Sequence, residues 1–429
     1  MAYQETKTIG YGTRLSNSIK GIGASFLMLL AGTALLWWNE GRAVKTTKML
    51  EEAQKTALHV EDVSKVDPAL NGKLIHATAF TQTNDSLCDG IFGVGAVAIK
   101  LDRKVQYYQW VEKSRTETKD KIGGEKEEVT TYSYKKQWVG RPVNSLEFKD
   151  TDYQKKNFVL MNVDSESFTA EDVTFGAYQL PESMIRSISG TIPMELNFDE
   201  ELLIQWNRDI KIAFNDLGIQ PERAVAMVSN KEKSVAEEDS MEQVVGAKLD
   251  YVHVKGNVLY FGKNPNSPQI GAMSVTFTKV LPGEASVIAE VNGSNLQSFT
   301  AKNGETLSVL TMGMLSMDEM FQNEHASNTI MTWVWRFVGL FLVIGGLKGI
   351  FGILTTLLKV LPFLADIVGL GVGLVCNVLG FVWSLLVIAI AWLFYRPVIA
   401  YILLVAILVL IVFLTRKGRE KKKAEAVVI

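Results

Sequence analysis

Apolar positions along this chain gather into four long runs, unevenly placed. Gly21 to Trp38 lies near the start, while Trp333 to Thr355, Ile367 to Leu393 and Val398 to Leu414 crowd the end. Each approaches or exceeds the roughly 18 to 20 residues that a helix needs to cross hydrocarbon. The pattern predicts four transmembrane helices, one early and three late, around a large soluble body. It divides the chain into an amino-terminal segment 1–20, a helix 21–38, a body 39–331, a three-helix bundle 332–414 and a tail 415–429.

Inside the body the period changes. Met49, Leu50, Ala53 and Leu58 recur at helical spacing among Glu and Lys, so the first helix is expected to run on as an amphipathic stalk. Lys73 to Phe80, Val94 to Trp110 and Val129 to Trp138 then carry β-branched and aromatic residues with partial alternation and read as strands. Gly123-Gly124 marks a hairpin turn between the last two. A similar succession follows in Val252 to Phe261, Ala272 to Val280, Ser286 to Val291 and Leu296 to Thr300, punctuated by Gly256-Asn257, Pro282-Gly283 and Asn292-Gly293. Asp199 to Leu217 and Ser316 to Glu324 read as helices, the second with Ser316 and Glu319 spaced as a capping box. The charged stretch Ser229 to Gln243 reads as an exposed linker. Asn71-Gly72 and Gly256-Asn257 precede comparable strands, so the expected fold is α+β, its body two related α+β units in tandem, 39–185 and 186–331.

Charge assigns the sides. Arg416, Lys417, Arg419, Lys421, Lys422 and Lys423 follow the last run, and such a cluster stays cytoplasmic. Counting four spans back places the amino terminus there too and the body on the exoplasmic side, where Asn84-Asp85-Ser86 and Asn292-Gly293-Ser294 are sequons relevant only in a eukaryotic lumen. The first run ends in Trp37-Trp38-Asn39-Glu40-Gly41-Arg42 instead of small residues, which reads as an uncleaved anchor and not a signal peptide. A formal net charge of −2 gives no basic face for nucleic acid. Cys88 lies in the body and Cys376 in an apolar run, so they imply no disulfide framework.

Candidate chemistry is sparse. His59, His76, His253 and His325 show no metal-binding spacing, and Gly93-Val94-Gly95 lacks the rest of a dinucleotide fingerprint. No catalytic, cofactor or metal residue is assigned, and the chain does not read as an enzyme. The residues that stand out suit contact instead. Trp37 and Trp38 form an interfacial anchor, beside which Glu40 or Arg42 is placed to pair with a charge of the late bundle such as Arg396. Tyr107, Tyr108 and Trp110, with Tyr132, Tyr134 and Trp138 across the hairpin, suit cross-strand packing, or a partner surface if their face is uncovered. Gly345 with Gly349, and Gly369 with Gly373, have the spacing for close helix approach, within one chain or between copies.

Several motifs, in order along the chain, resemble the transmembrane protein 43 family, also called LUMA. They are Asn39-Glu40-Gly41-Arg42-Ala43, Tyr108-Gln109-Trp110-Val111-Glu112, Tyr132-Ser133-Tyr134 with Trp138 and Asn144-Ser145, Asn264-Pro265 with Pro268 and Gly271, Ser327-Asn328 with Thr332-Trp333, and Trp392-Leu393-Phe394-Tyr395-Arg396-Pro397. The resemblance implies one early span, a lumenal body, three late spans, self-association and no known catalytic centre. It also implies, for animal members, the endoplasmic reticulum and inner nuclear membrane and association with lamins and emerin. The short start with Gly10-Tyr11-Gly12 and Asn17-Ser18 is more like bacterial relatives, for which the cytoplasmic membrane takes the place of the nuclear one. The expected function is a multi-pass scaffold that organises membrane proteins or lipids, as a homo-oligomer in the bilayer with other membrane proteins as partners. A transport or channel component and a ligand-sensing membrane protein are the alternatives.

Overall fold

A computed structural model of the chain describes residues 3–216 and 249–396. The linker Ser229 to Gln243, the run Val398 to Leu414 and the basic tail lie outside the described residues. Five helices are described: α1 (Tyr11–Thr56), α2 (Glu182–Ser187), α3 (Glu200–Asp216), α4 (Met317–Leu357) and α5 (Pro362–Tyr395). Three of them, α1, α4 and α5, are long and apolar enough to cross a membrane.

Helix α1 holds both the first apolar run and the stalk without a break, and no proline interrupts its 46 residues. It is about 69 Å long at ~1.5 Å per residue, more than twice the thickness of hydrocarbon. Its upper half buries Met49, Leu50 and Ala53 against Leu74, Ile288, Met320 and Phe321, so the stalk is part of a packed core and not a free spacer. Helix α4 starts at the Ser316–Glu319 capping box and runs back down beside α1. A short 3-10 turn, Leu358–Val360, then leads into α5, whose first residue is Pro362, where a missing backbone N–H costs nothing.

Small residues set how closely these helices approach. A Cβ on Gly346 would lie 2.7 Å from the Leu29 backbone nitrogen and 2.8 Å from the Ser25 carbonyl, and one on Gly32 would lie 2.9 Å from the backbone nitrogen of Val343. Gly345 and Gly349 face Met28 and Ser25 of α1, so their spacing serves packing within the chain. At Gly369 an added Cβ would meet only Thr355, at 3.6 Å, and at Gly373 nothing within 4 Å among the described residues. Gly346→Leu is therefore expected to cost about 1–3 kcal/mol by overpacking. Gly373→Leu should leave the thermal midpoint of the detergent-solubilised protein unchanged; equal midpoints for the two variants would remove the close α1–α4 approach as a stabilising feature.

The body is built on two antiparallel-rich sheets. The first has eight strands, in the order β1 (Tyr3–Ile9), β7 (Lys126–Val139), β6 (Lys100–Asp120), β14 (Met273–Val280), β13 (Val258–Phe261) and β12 (Val252–Lys255), with β8 (Glu166–Thr169) on β6 and β11 (Ile192–Pro193) on β14. The second has seven: β19 (Val309–Met312), β15 (Glu284–Asn292), β16 (Asn295–Gln297), β10 (Tyr178–Gln179), β9 (Thr174–Phe175), β3 (Leu74–Gln82) and β2 (Leu58–Val60), with β15 also paired to β3. Two small ribbons, β4 (Ser86–Asp89) with β5 (Val94–Val97) and β17 (Phe299–Thr300) with β18 (Thr306–Leu307), complete it.

Both sheets draw on both halves of the body. Leu101 of β6 faces Lys279 of β14, and Ala77 of β3 faces Val287 of β15. The expectation of two units in tandem, divided at 185/186, is corrected accordingly: besides the core shared with the stalk the body has two larger cores, and the chain contributes to each before and after that boundary. Turn spacing recurs in both halves because each supplies short antiparallel strands, and local period cannot tell which strand partners which. One core gathers Ile75, Phe175, Tyr178, Val287 and Leu296, the other Phe92, Leu101, Tyr107, Phe261 and Phe277.

Two further features were not foreseen. Tyr3 to Ile9 of the amino-terminal segment form a strand paired with Tyr132 to Lys126 of β7. The β6–β7 hairpin is also far longer than the body needs. Beyond Tyr107, where β14 ends, β6 continues to Asp120 with β7 as its strand partner. The turn carries Gly123 and Gly124 at φ of +94° and +89°, values that L side chains rarely adopt.

Candidate functional site

Where the helices leave the membrane toward the body, α1 presents Asn39, Glu40, Gly41 and Arg42 in one turn. Glu40 is fully buried. Arg336, one turn below Thr332 on α4, donates to both its carboxylate oxygens, Nε to Oε1 at 2.6 Å and NH2 to Oε2 at 2.9 Å. Trp392 of α5 adds its indole N–H to Oε2 at 2.8 Å. One carboxylate thus joins three helices, through a fork-shaped donor that matches it and a ring that excludes water. The expected partner Arg396 lies elsewhere, its guanidinium 5.8 Å from the Trp392 ring centroid. The charge pattern shows that Glu40 needs a cation from the late bundle, but only helix register distinguishes Arg336 from Arg396, and the two flank Trp392 from opposite ends of the apolar runs.

Arg42 turns the other way along α1. Its NH1 donates to Asn328 Oδ1 at 3.1 Å and its NH2 to Thr332 Oγ1 at 3.0 Å. Asn39 donates its amide to the Thr332 carbonyl at 3.0 Å, and Asn328 returns one to the Ala43 carbonyl at 3.1 Å. These bonds satisfy polar groups that would be costly at the edge of hydrocarbon. Gly41 is glycine because the Tyr395 ring occupies the place of its side chain, at 2.8 Å. Sequence reasoning singled out Glu40 and Arg42 as pairing residues, named Asn39, Thr332 and Trp392 only within motifs, and did not name Arg336. Their signal was the recurrence of polar residues at the end of an otherwise apolar run.

Five of the six aromatic residues of the hairpin, all but Tyr107, share a face. Tyr108 lies opposite Trp138 in register, with ring centroids 5.3 Å apart. Tyr134 stacks on Tyr153 at 4.0 Å and packs against Phe148, Trp110 meets Tyr153 edge-on at 4.9 Å, and Tyr132 meets Tyr3 of β1 at 5.9 Å. The segment after β7 therefore covers Trp110 and Tyr134, which makes that part of the face packing. Tyr107 points to the opposite side, where its hydroxyl donates to the Val163 carbonyl at 2.5 Å.

At the body end of α4 lies a pair that the sequence did not join. His59 of β2 and His76 of β3 stand in register on parallel strands, with their Nδ1 atoms 2.9 Å apart. His76 is buried and its Nε2 is 3.0 Å from the Leu315 carbonyl. A carbonyl only accepts, so Nε2 carries the proton; Nδ1 of the neutral ring then accepts from His59. Burial, together with the charge of His59, holds His76 below the usual histidine range against the opposing pull of Leu315. As pH falls through about 6.5, the unfolded chain takes up a proton that folded His76 refuses. Stability is thus fully present above that pH and declines below it until the folded ring itself protonates. The thermal midpoint is expected to fall between pH 7 and pH 5 more steeply than that of His76→Gln, which keeps a donor for Leu315 but does not titrate; parallel slopes would count against the assignment.

The described residues contain no group of three or more His, Cys, Asp or Glu able to hold a metal ion. The model for the transmembrane protein 43 family matches residues 107–397, more than half of the chain. Transmembrane protein 43 of Homo sapiens is 29% identical over 430 residues, covering 96% of this chain and 94% of its own length. That of Rattus norvegicus is 29% identical over 427 residues with the same coverage, and the Drosophila melanogaster homolog is 26% identical over 386, covering 89% and 90%. No solved structure matches. The matched region holds the long hairpin, the Arg336 and Trp392 arms of the Glu40 junction and both described late helices, and the chain belongs to the transmembrane protein 43 family, an integral membrane protein.

Proposed function

We propose that this protein is a membrane scaffold: it holds its body, on the exoplasmic side, against the bilayer and gathers membrane neighbours by self-association and partner contact. The observation that carries this reading is the Glu40 junction. One buried carboxylate fixes α1, α4 and α5 at the level where the body begins, and the body is continuous with α1 and α4 through the core of Met49, Leu50, Met320 and Phe321. A body tied at both ends has little freedom to close over a substrate but keeps one surface at a fixed height above the membrane. Gly369 and Gly373, open among the described residues, offer a lateral face to a second copy. The compartment follows the host: the cytoplasmic membrane in a bacterium, the endoplasmic reticulum and inner nuclear membrane in a eukaryote.

Crosslinking in native membranes followed by mass spectrometry tests it. A recurrent set of membrane proteins beside this one supports the reading, and a protein recovered only with itself removes partner gathering. A second reading, a transport or channel component, is favoured by the charged hairpin that runs beside the apolar helices.

A further inference from the structure

The tip of the β6–β7 hairpin sits at the end of the helices farthest from the body. Asp120 accepts from Arg14 of α1 at 2.8 Å and also bonds Lys359, between α4 and α5. Arg14 donates to the Gly124 carbonyl at 2.9 Å, the Gly123 amide donates to the Val360 carbonyl at 3.1 Å, and the Tyr11 hydroxyl donates to the Leu357 carbonyl at 3.1 Å. From Arg14 to Glu40 is 26 residues of helix, about 39 Å at ~1.5 Å per residue. From Tyr108, where β14 stops, to Asp120 is 12 residues of strand, about 40 Å at ~3.3 Å per residue. The two lengths agree, so the hairpin descends through the same depth as the apolar part of the helices.

That stretch is not made for lipid. Lys113, Arg115, Glu117 and Lys119 are all exposed, with Glu127 on the same face of β7. Asp120, which bonds α1, lies on the other face with Glu5, Lys7 and Glu128, so both faces of the ribbon carry charge and the face of Asp120 is the one turned toward α1 at the tip. Among the described residues both edges are open. β1 ends the sheet, and β6 below Trp110, whose backbone is taken by Asn157, pairs among the described residues only with β7. In hydrocarbon each unpaired backbone group costs several kcal/mol, and the only strands that cross do so in closed barrels.

Deepening the self-association on which the scaffold reading rests, we infer that the β1–β7–β6 ribbon crosses the bilayer with the helices, and that neighbouring copies of this chain close its edges into a ring, with helices outermost and the ribbon face of Arg115, Glu117 and Lys119 inward. The edges suit each other. Through β7, Gln4, Glu5, Thr6, Lys7 and Thr8 stand level with Arg115, Thr116, Glu117, Thr118 and Lys119. When the β1 of one copy lies beside the β6 of the next at equal depth, every charged residue of these rows meets an uncharged one able to hydrogen-bond. The two strands run parallel, so the contact is head-to-tail and repeats around an axis. The interior is a hydrated passage of mixed charge.

Two measurements on the full-length protein in sealed vesicles decide this. Native Cys88 is exposed on the body and reports its side with a membrane-impermeant maleimide. Ile122, 87% exposed at the hairpin tip, is changed to Cys with Cys88→Ser; it should react only from the opposite side. Reaction from the Cys88 side overturns the crossing. Thr6→Cys is then combined in turn with Arg115→Cys, Glu117→Cys or Lys119→Cys, again with Cys88→Ser, and a mild oxidant is added. A disulfide-linked ladder of oligomers is expected in at least one pair and in neither single variant. Opposite-side labelling with no ladder in any pair means that something other than a second copy covers the edges, which overturns the ring. Neither result depends on whether other proteins are gathered, so the scaffold reading stands or falls by its own experiment.

Discussion

Glu40→Gln is expected to destabilise the helix bundle by about 3–5 kcal/mol, the usual consequence of leaving one member of a buried ion pair without its partner. The carboxylate is fully buried and takes three hydrogen bonds, two from Arg336 and one from Trp392. An amide oxygen can keep one or two of these but leaves the guanidinium charge uncompensated among Trp333 and Trp392, whose rings lie 4.9 and 5.9 Å from it. Arg336→Leu should cost a similar amount for the opposite reason, a buried carboxylate with only an indole to answer it. The double variant Glu40→Leu, Arg336→Leu removes both charges and should recover most of the loss, because apolar replacement of a whole buried pair is often close to neutral. The check is the thermal midpoint of the detergent-solubilised protein, followed by tryptophan emission, with the two singles and the double forming a cycle. Additive losses would mean that Glu40 and Arg336 do not depend on each other.

The helices were legible in the sequence because a membrane span is a local property: twenty apolar residues say what they are wherever they occur. The Ser316 capping box and the Gly123-Gly124 turn were legible for the same reason, and both are present. Strand pairing is not local. Ala77 and Val287 are neighbours across one sheet, yet nothing within either strand distinguishes that partner from a closer one, so a recurring turn pattern looked like a repeated unit. The junction was half legible. Glu40 and Arg42 betrayed themselves as charges at the end of an apolar run, whereas Arg336 became identifiable only when α4 was laid against α1. Cross-strand pairing of the hairpin's rings was expected, but Tyr107 turns to the opposite side, and the face of the others is covered by Phe148 and Tyr153, two residues in a segment without regular period. The long hairpin was hidden by its composition, for a strand of Lys, Arg, Glu and Thr resembles a solvated edge until its length is compared with that of the helices beside it.

Arg103→Ala is expected to lower the stability of the body by about 3–5 kcal/mol and to loosen both sheets together. Arg103 of β6 is buried and ion-paired to the buried Asp89, with Glu166 of β8 at 2.8 Å and the Asp164 carbonyl at 3.0 Å completing its donors. Asp89 in turn accepts from the backbone amides of Ile91 and Phe92 at 2.8 and 2.9 Å, which sets the turn that drives Phe92 into the core beside Phe261, Phe277 and Trp206. Removing the guanidinium leaves a carboxylate without a cation in that core. Asp89→Asn, Arg103→Met keeps an oxygen for the two amides and removes both charges, and should lie nearer the wild type than either single change. The extent of the loosening follows from topology. Because β6 leads directly from Ile99, in the other core, and β14 turns directly into β15, the two sheets share their strands in sequence and neither half of the body can detach alone. Hydrogen exchange on Arg103→Ala should therefore show β14 and β15 losing protection together. Loss confined to the sheet that holds Arg103 would mean that the two cores open independently despite their interleaved strands.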